Sequence, residues 1–397
     1  VVAIKGLTCI VIGGGYAGIN AVKAIRKTFK GQASKRTLRL ILIDKNPYHF
    51  RKVLLFKPAV GDEDITIPLT RLFPEGVEFV QATVTKIESG ERRLLCQDAE
   101  GNKNSIKYDF LVLAVGSVVR QPDPDQGGMA LASLDAAWKI REAWRANIKE
   151  AVKEKSAKER QRLMTIAVVG AGISGIETSA ELAYFIREDA VLLGLDPSAV
   201  RIKLFNANKR LFPAGPAKVG LKLERSLDAC GVTTLHGSRV LQEKEGALTL
   251  SNGETMSVGL CVWTLGLLPN PMLQSIGLPI TPEGYVIVDA SYRVQGAQGV
   301  YSIGDCARIV DPASGRVDGK TCKEATAQAA RLGKILSADI AGHPTPPHKE
   351  FIYFFCFALG PEQGMVWTHQ WGLDIIFTGK LGWRIRKFTW DSASLLK

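Results

Sequence analysis

Two glycine-rich turns, Gly13-Gly14-Gly15-Tyr16-Ala17-Gly18 and Gly170-Ala171-Gly172-Ile173-Ser174-Gly175, follow near-identical apolar strands 157 residues apart. The strands read Cys9-Ile10-Val11-Ile12 and Ile166-Ala167-Val168-Val169. One G-x-G-x-x-G turn is weak evidence, because glycine turns are common. Two, each between a short apolar strand and a helical run, constrain the chain to an α/β fold with two dinucleotide-binding domains. A chain with two such sites is suited to moving a hydride between them.

The turn explains its residue types. Gly13 permits the tight bend, Gly15 lets the backbone approach a pyrophosphate, and Gly18 lets helix pack on strand. Free N–H groups at the helix start, with the positive end of the helix dipole behind them, face the phosphates. A second strand, 38–43, ends in Asp44, where a carboxylate can grip ribose hydroxyls. In the second unit Gly170, Gly172 and Gly175 repeat these roles, and the strand 201–205 is followed by Asn206 instead of an acid.

Further strands are expected at 77–80, 82–87, 93–97, 110–115 and 260–264. Those at 110–115 and 260–264 are followed by Gly116 and Gly266, an echo expected of two similar domains. A strand ending in Gly304-Asp305 reads as a return to the first dinucleotide, and a helix is expected over 326–340. The domain reading is therefore 1–123 with 275–342 for the first nucleotide, 124–274 for the second, and 343–397 as a C-terminal segment.

A net charge of +12 points to an anionic surface such as lipid, nucleic acid or phosphorylated ligands. Residues 138–163 form a helix pattern with Arg141, Arg145, Lys149 and Lys153 in one stripe, read as a solvated face or as a binding stripe. The segment 351–397 holds 11 of the 30 aromatic residues, interleaved with Lys380, Arg384, Arg386 and Lys387. It suits a membrane–water interface or a small aromatic core, and both can hold for different residues.

The seven cysteines include no C-x-x-C, which argues against a disulfide framework and for a reducing compartment. Scattered histidines offer no metal motif. The sequence opens on Val1-Val2 and runs into the first strand, so no signal peptide is expected, and no apolar run reaches the length of a membrane span.

With these motifs in hand, the sequence resembles the type II NADH dehydrogenases, single-subunit NADH:quinone oxidoreductases among the two-domain flavoproteins. The resemblance rests on Asp44-Lys45-Asn46-Pro47-Tyr48-His49, the segment 108–117, Gly170 to Glu177, Tyr301 to Ala307, and Thr326-Ala327-Gln328-Ala329-Ala330. It implies FAD on Gly13, Gly15, Gly18, Asp44, Val84, Gly116, Gly304 and Asp305, and NADH on Gly170, Gly172, Gly175, Asn206 and Gly266. It places Glu177 beside the nicotinamide as a positioning group, although such an acid also offsets a helix dipole. It places Gln328 against a quinone, although an ordinary helix residue reads the same way.

The departure at Asn206, followed by Lys209 and Arg210, weakens discrimination against NADPH. The resemblance further implies a homodimer on the cytoplasmic side, peripheral to an anionic membrane or soluble, with no nucleic acid partner. Three other readings are weighed beside it. A sulfide:quinone reductase requires cysteines flanking the flavin, and none lies between Cys96 and Cys230. A ferredoxin-like or other small-molecule acceptor stays open. A redox-controlled binding protein resembling apoptosis-inducing factor rests on charge alone.

Overall fold

The computed structural model describes residues 6–30 and 37–396. Val1 and Val2 lie outside the described residues. The first sheet contains β1 (Leu7–Ile12), β2 (Leu38–Asp44), β3 (Glu78–Gln81) and β4 (Phe110–Leu113). A late strand, Val300–Ser302, completes it by pairing parallel with β4. The spatial order is β3-β2-β1-β4 and then 300–302, all parallel. Helix α1 (Tyr16–Lys30) packs one face of this sheet together with the later helix Cys322–Ala341. Parallel strands covered on both faces must be apolar throughout, and Ile10, Val11, Ile41, Leu42, Leu111 and Val112 are fully buried.

The second sheet repeats the plan. It contains β5 (Thr165–Val169), β6 (Arg201–Asn206), β7 (Val232–His236) and β8 (Leu260–Trp263), in the order β7-β6-β5-β8, with the short strand Met129–Ala130 beyond β8. Helix α2 (Leu134–Lys153) precedes it, α3 (Ile173–Leu192) follows β5, and α4 (Ala217–Ala229) joins β6 to β7. The long charged pattern is two helices rather than one. It breaks after Lys153 and resumes at Ala157–Leu163, where Ser156 caps the new N-terminus through the Glu159 N–H.

A two-stranded antiparallel ribbon ties the sheets together at the ends of β4 and β8, pairing Ser117–Val119 with Leu267–Pro269. Helix α5 (Cys322–Ala341) starts four residues before the expected 326, because Thr321 and Glu324 form a capping box. The C-terminal segment is a three-stranded antiparallel sheet, Phe354–Ala358, Gly364–Gln370 and Leu373–Thr378, followed by α6 (Gly379–Ala393).

The aromatic segment divides between its two readings. Trp367 and Trp390 are buried, and Phe212, Phe355, Phe357 and Trp367 pack ring against ring. Trp371, Leu373, Leu381 and Phe388 are exposed. No helix among the described residues is long and apolar enough to cross a membrane.

The helix–strand contact at the first turn leaves no room for a side chain: a Cβ on Gly18 would sit 1.7 Å from the Gly13 carbonyl oxygen. Gly18→Ala is expected to cost about 1–3 kcal/mol or more, read as a lowered thermal midpoint together with weakened flavin retention.

Candidate active site

The two turns are built alike. Gly13 and Gly170 adopt φ of +108° and +109°, and a Cβ on either would lie 2.4 Å from the carbonyl oxygen of Ala114 or Thr264. Gly175 repeats Gly18, with only 1.8 Å between its ideal Cβ and the Gly170 oxygen. Gly15 and Gly172 face open space, which is the cradle a pyrophosphate requires. Helix α3 begins after Gly172 without a side-chain cap, so its first N–H groups remain available to an anion.

Asp44 closes the first cradle. Its Oδ2 accepts the Gly14 N–H at 2.5 Å and its Oδ1 accepts the Asn46 N–H at 2.8 Å. Burial pushes the carboxyl up, and these two N–H groups pull it back. Each oxygen keeps a lone pair for a ribose hydroxyl. His49 fastens the same turn by donating Nδ1–H to the Gly14 carbonyl at 2.9 Å, with Tyr16 edge-on to its ring. Burial lowers His49 to about 4, which keeps the ring neutral. The sequence carries His49 inside a motif but gives no sign of this bond.

Asp305 follows Gly304, whose φ is +76° and whose ideal Cβ would meet the Ala17 methyl at 2.7 Å. Asp305 Oδ2 accepts from Ser117 Oγ at 2.6 Å, and Lys52 Nζ donates to both the Ser117 carbonyl and its Oγ at 3.0 Å. Burial pushes the Lys52 ammonium down, and Asp305 pulls it back up. Sequence reasoning missed Lys52, since a lone lysine in a mixed stretch carries no pattern. Gly116 and Gly266, with φ of +65° and +85°, flank the interdomain ribbon. Val84 lies in the strand Thr83–Glu88, opposite Cys96, and is buried in the apolar cluster on one side of the first sheet.

Gln328 is buried, and both ends of its amide are engaged. Oε1 accepts the Gly304 N–H at 2.8 Å, and Nε2 donates to Asp318 Oδ2 at 2.8 Å. It thereby anchors the Gly304-Asp305 turn to α5. Glu177 falls on the second turn of α3, which starts at Ile173. Its carboxylate is held by Arg386 of α6, with Nε donating to Oε1 at 2.8 Å and Nη2 to Oε2 at 3.0 Å. The Ala358 N–H adds a third bond at 2.9 Å. Burial pushes the Glu177 carboxyl up while Arg386 and Ala358 pull it back.

One helical turn on, Glu181 pairs with Lys57 at 2.8 Å, and its other oxygen has no hydrogen-bond partner among the described residues. The end of α6 reaches the first turn as well: Arg51 meets Asp391 at 2.6 Å, and Asn20 Nδ2 donates to the Ala393 carbonyl at 2.8 Å. The basic stripe on α2 is partly internal bracing. Arg141 binds the Gly61 carbonyl and Asp62, and Arg145 lies over the Trp144 ring.

The family described as pyridine nucleotide-disulphide oxidoreductase matches residues 7–330. The chain belongs to that family. The chain is 26% identical over 352 residues to oxidoreductase ptaL of Pestalotiopsis fici, covering 86% of this chain and 85% of that protein. It is 27% identical over 350 residues to a type II NADH:quinone oxidoreductase of Staphylococcus epidermidis, covering 85% of this chain and 83% of that one. The fold matches the structure of NDH2 from Plasmodium falciparum in complex with NADH at a TM-score of 0.81 and 18% identity, over 98% of this chain and 97% of the other. This member of the pyridine nucleotide-disulphide oxidoreductases has all seven cysteines as free thiols. Burial raises the Cys9, Cys306, Cys322 and Cys356 thiols, which keeps them protonated and poorly nucleophilic.

Arg386→Leu strands the Glu177 carboxylate inside the protein and is expected to cost about 3–5 kcal/mol. The folded carboxyl then rises further above its unfolded value, so the folded state binds more protons. The variant therefore regains stability relative to wild type as pH falls from about 8 towards 5, measured by denaturant melts across that range.

Proposed function

We propose that this chain is an FAD-dependent NADH:quinone oxidoreductase of the type II class. The observation that carries the reading is the pair of matched glycine cradles whose sheets are tied together, beyond the C-terminal ends of β4 and β8, by the ribbon 117–119 with 267–269. Two dinucleotides held this way bring their redox ends towards one seam. The quinone class of acceptor draws support from the Staphylococcus epidermidis relative, which bears that activity in its name.

Gly13, Gly15 and Gly18 with Asp44 hold the FAD adenosine diphosphate half, and Gly304 with Asp305 holds its other half. Gly170, Gly172 and Gly175 take the pyrophosphate of NADH, with Asn206 at its ribose. FAD supplies acceptance of a hydride and release of two electrons to an acceptor. The residues bind, orient and exclude water. Lys52 and Ser117 hold Asp305 in position, and Gln328 holds the Gly304 backbone. The Glu177–Arg386 pair fixes α3 against the C-terminal segment, so Glu177 serves as a positioning group for the nicotinamide end. Gln328 lies on the wall that a quinone approaches. Domain limits follow the sequence reading: 1–123 and 275–342, 124–274, and 343–397.

Anaerobic titration tests the reading. NADH bleaches the flavin absorbance, and a soluble menaquinone analogue restores it. A flavin that NADH does not reduce, or that only a ferredoxin reoxidises, overturns it.

The reading extends to a peripheral position on an anionic membrane at the cytoplasmic side. Leu381, Arg384 and Phe388 share one exposed face of α6, with Lys380, Lys387, Trp371 and Leu373 nearby in the chain. Wild-type protein is expected to sediment with phosphatidylglycerol vesicles. The triple change of Trp371, Leu381 and Phe388 to Ser should reduce the bound fraction at least about fivefold, and high salt should weaken it too. The reading also extends to a homodimer, for which the exposed Tyr184, Val191 and Leu192 on α3 offer an apolar surface; sedimentation equilibrium gives the state.

A further inference from the structure

The strand β6 ends at Asn206, where a carboxylate would accept both ribose hydroxyls of a nucleotide and repel a 2′-phosphate. Asn206 is 3% exposed, and its amide is oriented by a chain of two residues from two neighbouring elements. Glu224 on α4 accepts from His236 Nε2 at 2.8 Å. A carboxylate only accepts, so in the neutral ring Nε2 carries the hydrogen and Nδ1 offers a lone pair. Asn206 Nδ2 donates to that lone pair at 2.9 Å. Its Oδ1 accepts the Asn208 N–H at 3.1 Å. The amide therefore keeps its oxygen on the loop and retains a second N–H for a ligand.

We infer that the Glu224–His236–Asn206 relay is a specificity device that presents an N–H donor, without negative charge, to the 2′ position of the adenosine ribose, so that the site admits 2′-phosphorylated nucleotides such as NADPH beside NADH. This rests on the proposed nucleotide role of the second turn. A donor bonds a phosphate oxygen as readily as a hydroxyl oxygen. The one acid in the relay lies across the imidazole from the amide, paired to the far nitrogen.

The source of positive charge differs from the sequence expectation. Arg210 is occupied within its own loop, donating to the carbonyls of Phe212, Pro213 and Gly215 at 2.8–3.0 Å. Lys209 is exposed and pairs with no acid among the described residues, and Arg239, next to the Ser238 whose N–H bonds the Asn206 carbonyl, is exposed as well, so both are cations able to swing towards a phosphate.

Calorimetric titration of the flavin-loaded protein with 2′,5′-ADP and 5′-AMP tests the relay without turnover. Wild type is expected to bind the two within about thirtyfold of each other, and Asn206→Asp to weaken 2′,5′-ADP by about thirtyfold or more while 5′-AMP, whose ribose hydroxyls a carboxylate accepts, binds more tightly. His236→Leu releases the amide and is expected to weaken 2′,5′-ADP by about three- to tenfold, with recovery in His236→Gln, whose oxygen can accept the same N–H. A larger wild-type preference for 5′-AMP, or an Asn206→Asp protein unchanged towards 2′,5′-ADP, overturns the relay. Comparable binding of both probes without nucleotide-dependent flavin reduction supports the relay and counts against the enzymatic reading.

Discussion

The molecule depends on backbone meeting backbone where side chains would collide. At both turns the first glycine presses against the carbonyl at the end of the neighbouring strand, 2.4 Å from where its Cβ would be, and the third presses on the first. That contact draws α1 and α3 down onto their sheets and aims their N-termini at the C-terminal edges of the strands. The same geometry leaves Gly15 and Gly172 facing open space. The packing that forbids a side chain at Gly18 and Gly175 therefore also shapes the cradle beside Gly15 and Gly172.

Around the seam the protein buries charge. Glu177 with Arg386, Glu181 with Lys57, and Arg51 with Asp391 each join segments distant in the chain, with side chains mostly enclosed. Such pairs add little net stability against apolar replacements, because desolvation offsets much of their attraction. Their effect is geometric, since a buried carboxylate bound by a two-pronged guanidinium tolerates one arrangement. Through them α6 is fastened to the helix of the second turn and to the residues supporting the first. The C-terminal segment is thus packed against the residues around both turns, while Trp371, Leu373, Leu381 and Phe388 among others stay exposed.

Much of the architecture was legible because its signals are local. Apolar runs flanked by turn residues marked β1, β2, β4, β5, β6 and β8 to within a residue or two, and the acid at 44 and the amide at 206 sit where β2 and β6 end. The start of α5 was missed because Thr321 and Glu324 act as a capping box that apolar periodicity does not register. Arg210 read as a cation beside a nucleotide, yet carbonyls in its own loop take up its guanidinium. Gln328 read as a quinone contact or an ordinary helix residue, and in the structure both ends of its amide are held.

By itself the sequence determined the two-sheet plan, the two glycine turns and the residues at their rims, because glycine's freedom and strand periodicity act over a few residues. Only the tertiary structure decided which partners those residues take. Arg386 lies 209 positions from Glu177, and His236 lies 30 from Asn206. A basic residue in an aromatic tail, or a histidine at a strand end, is neutral information until the chain is closed. Hydrogen bonds are short-ranged and directional, so their pairing is set by the packed geometry and leaves no trace in spacing along the chain.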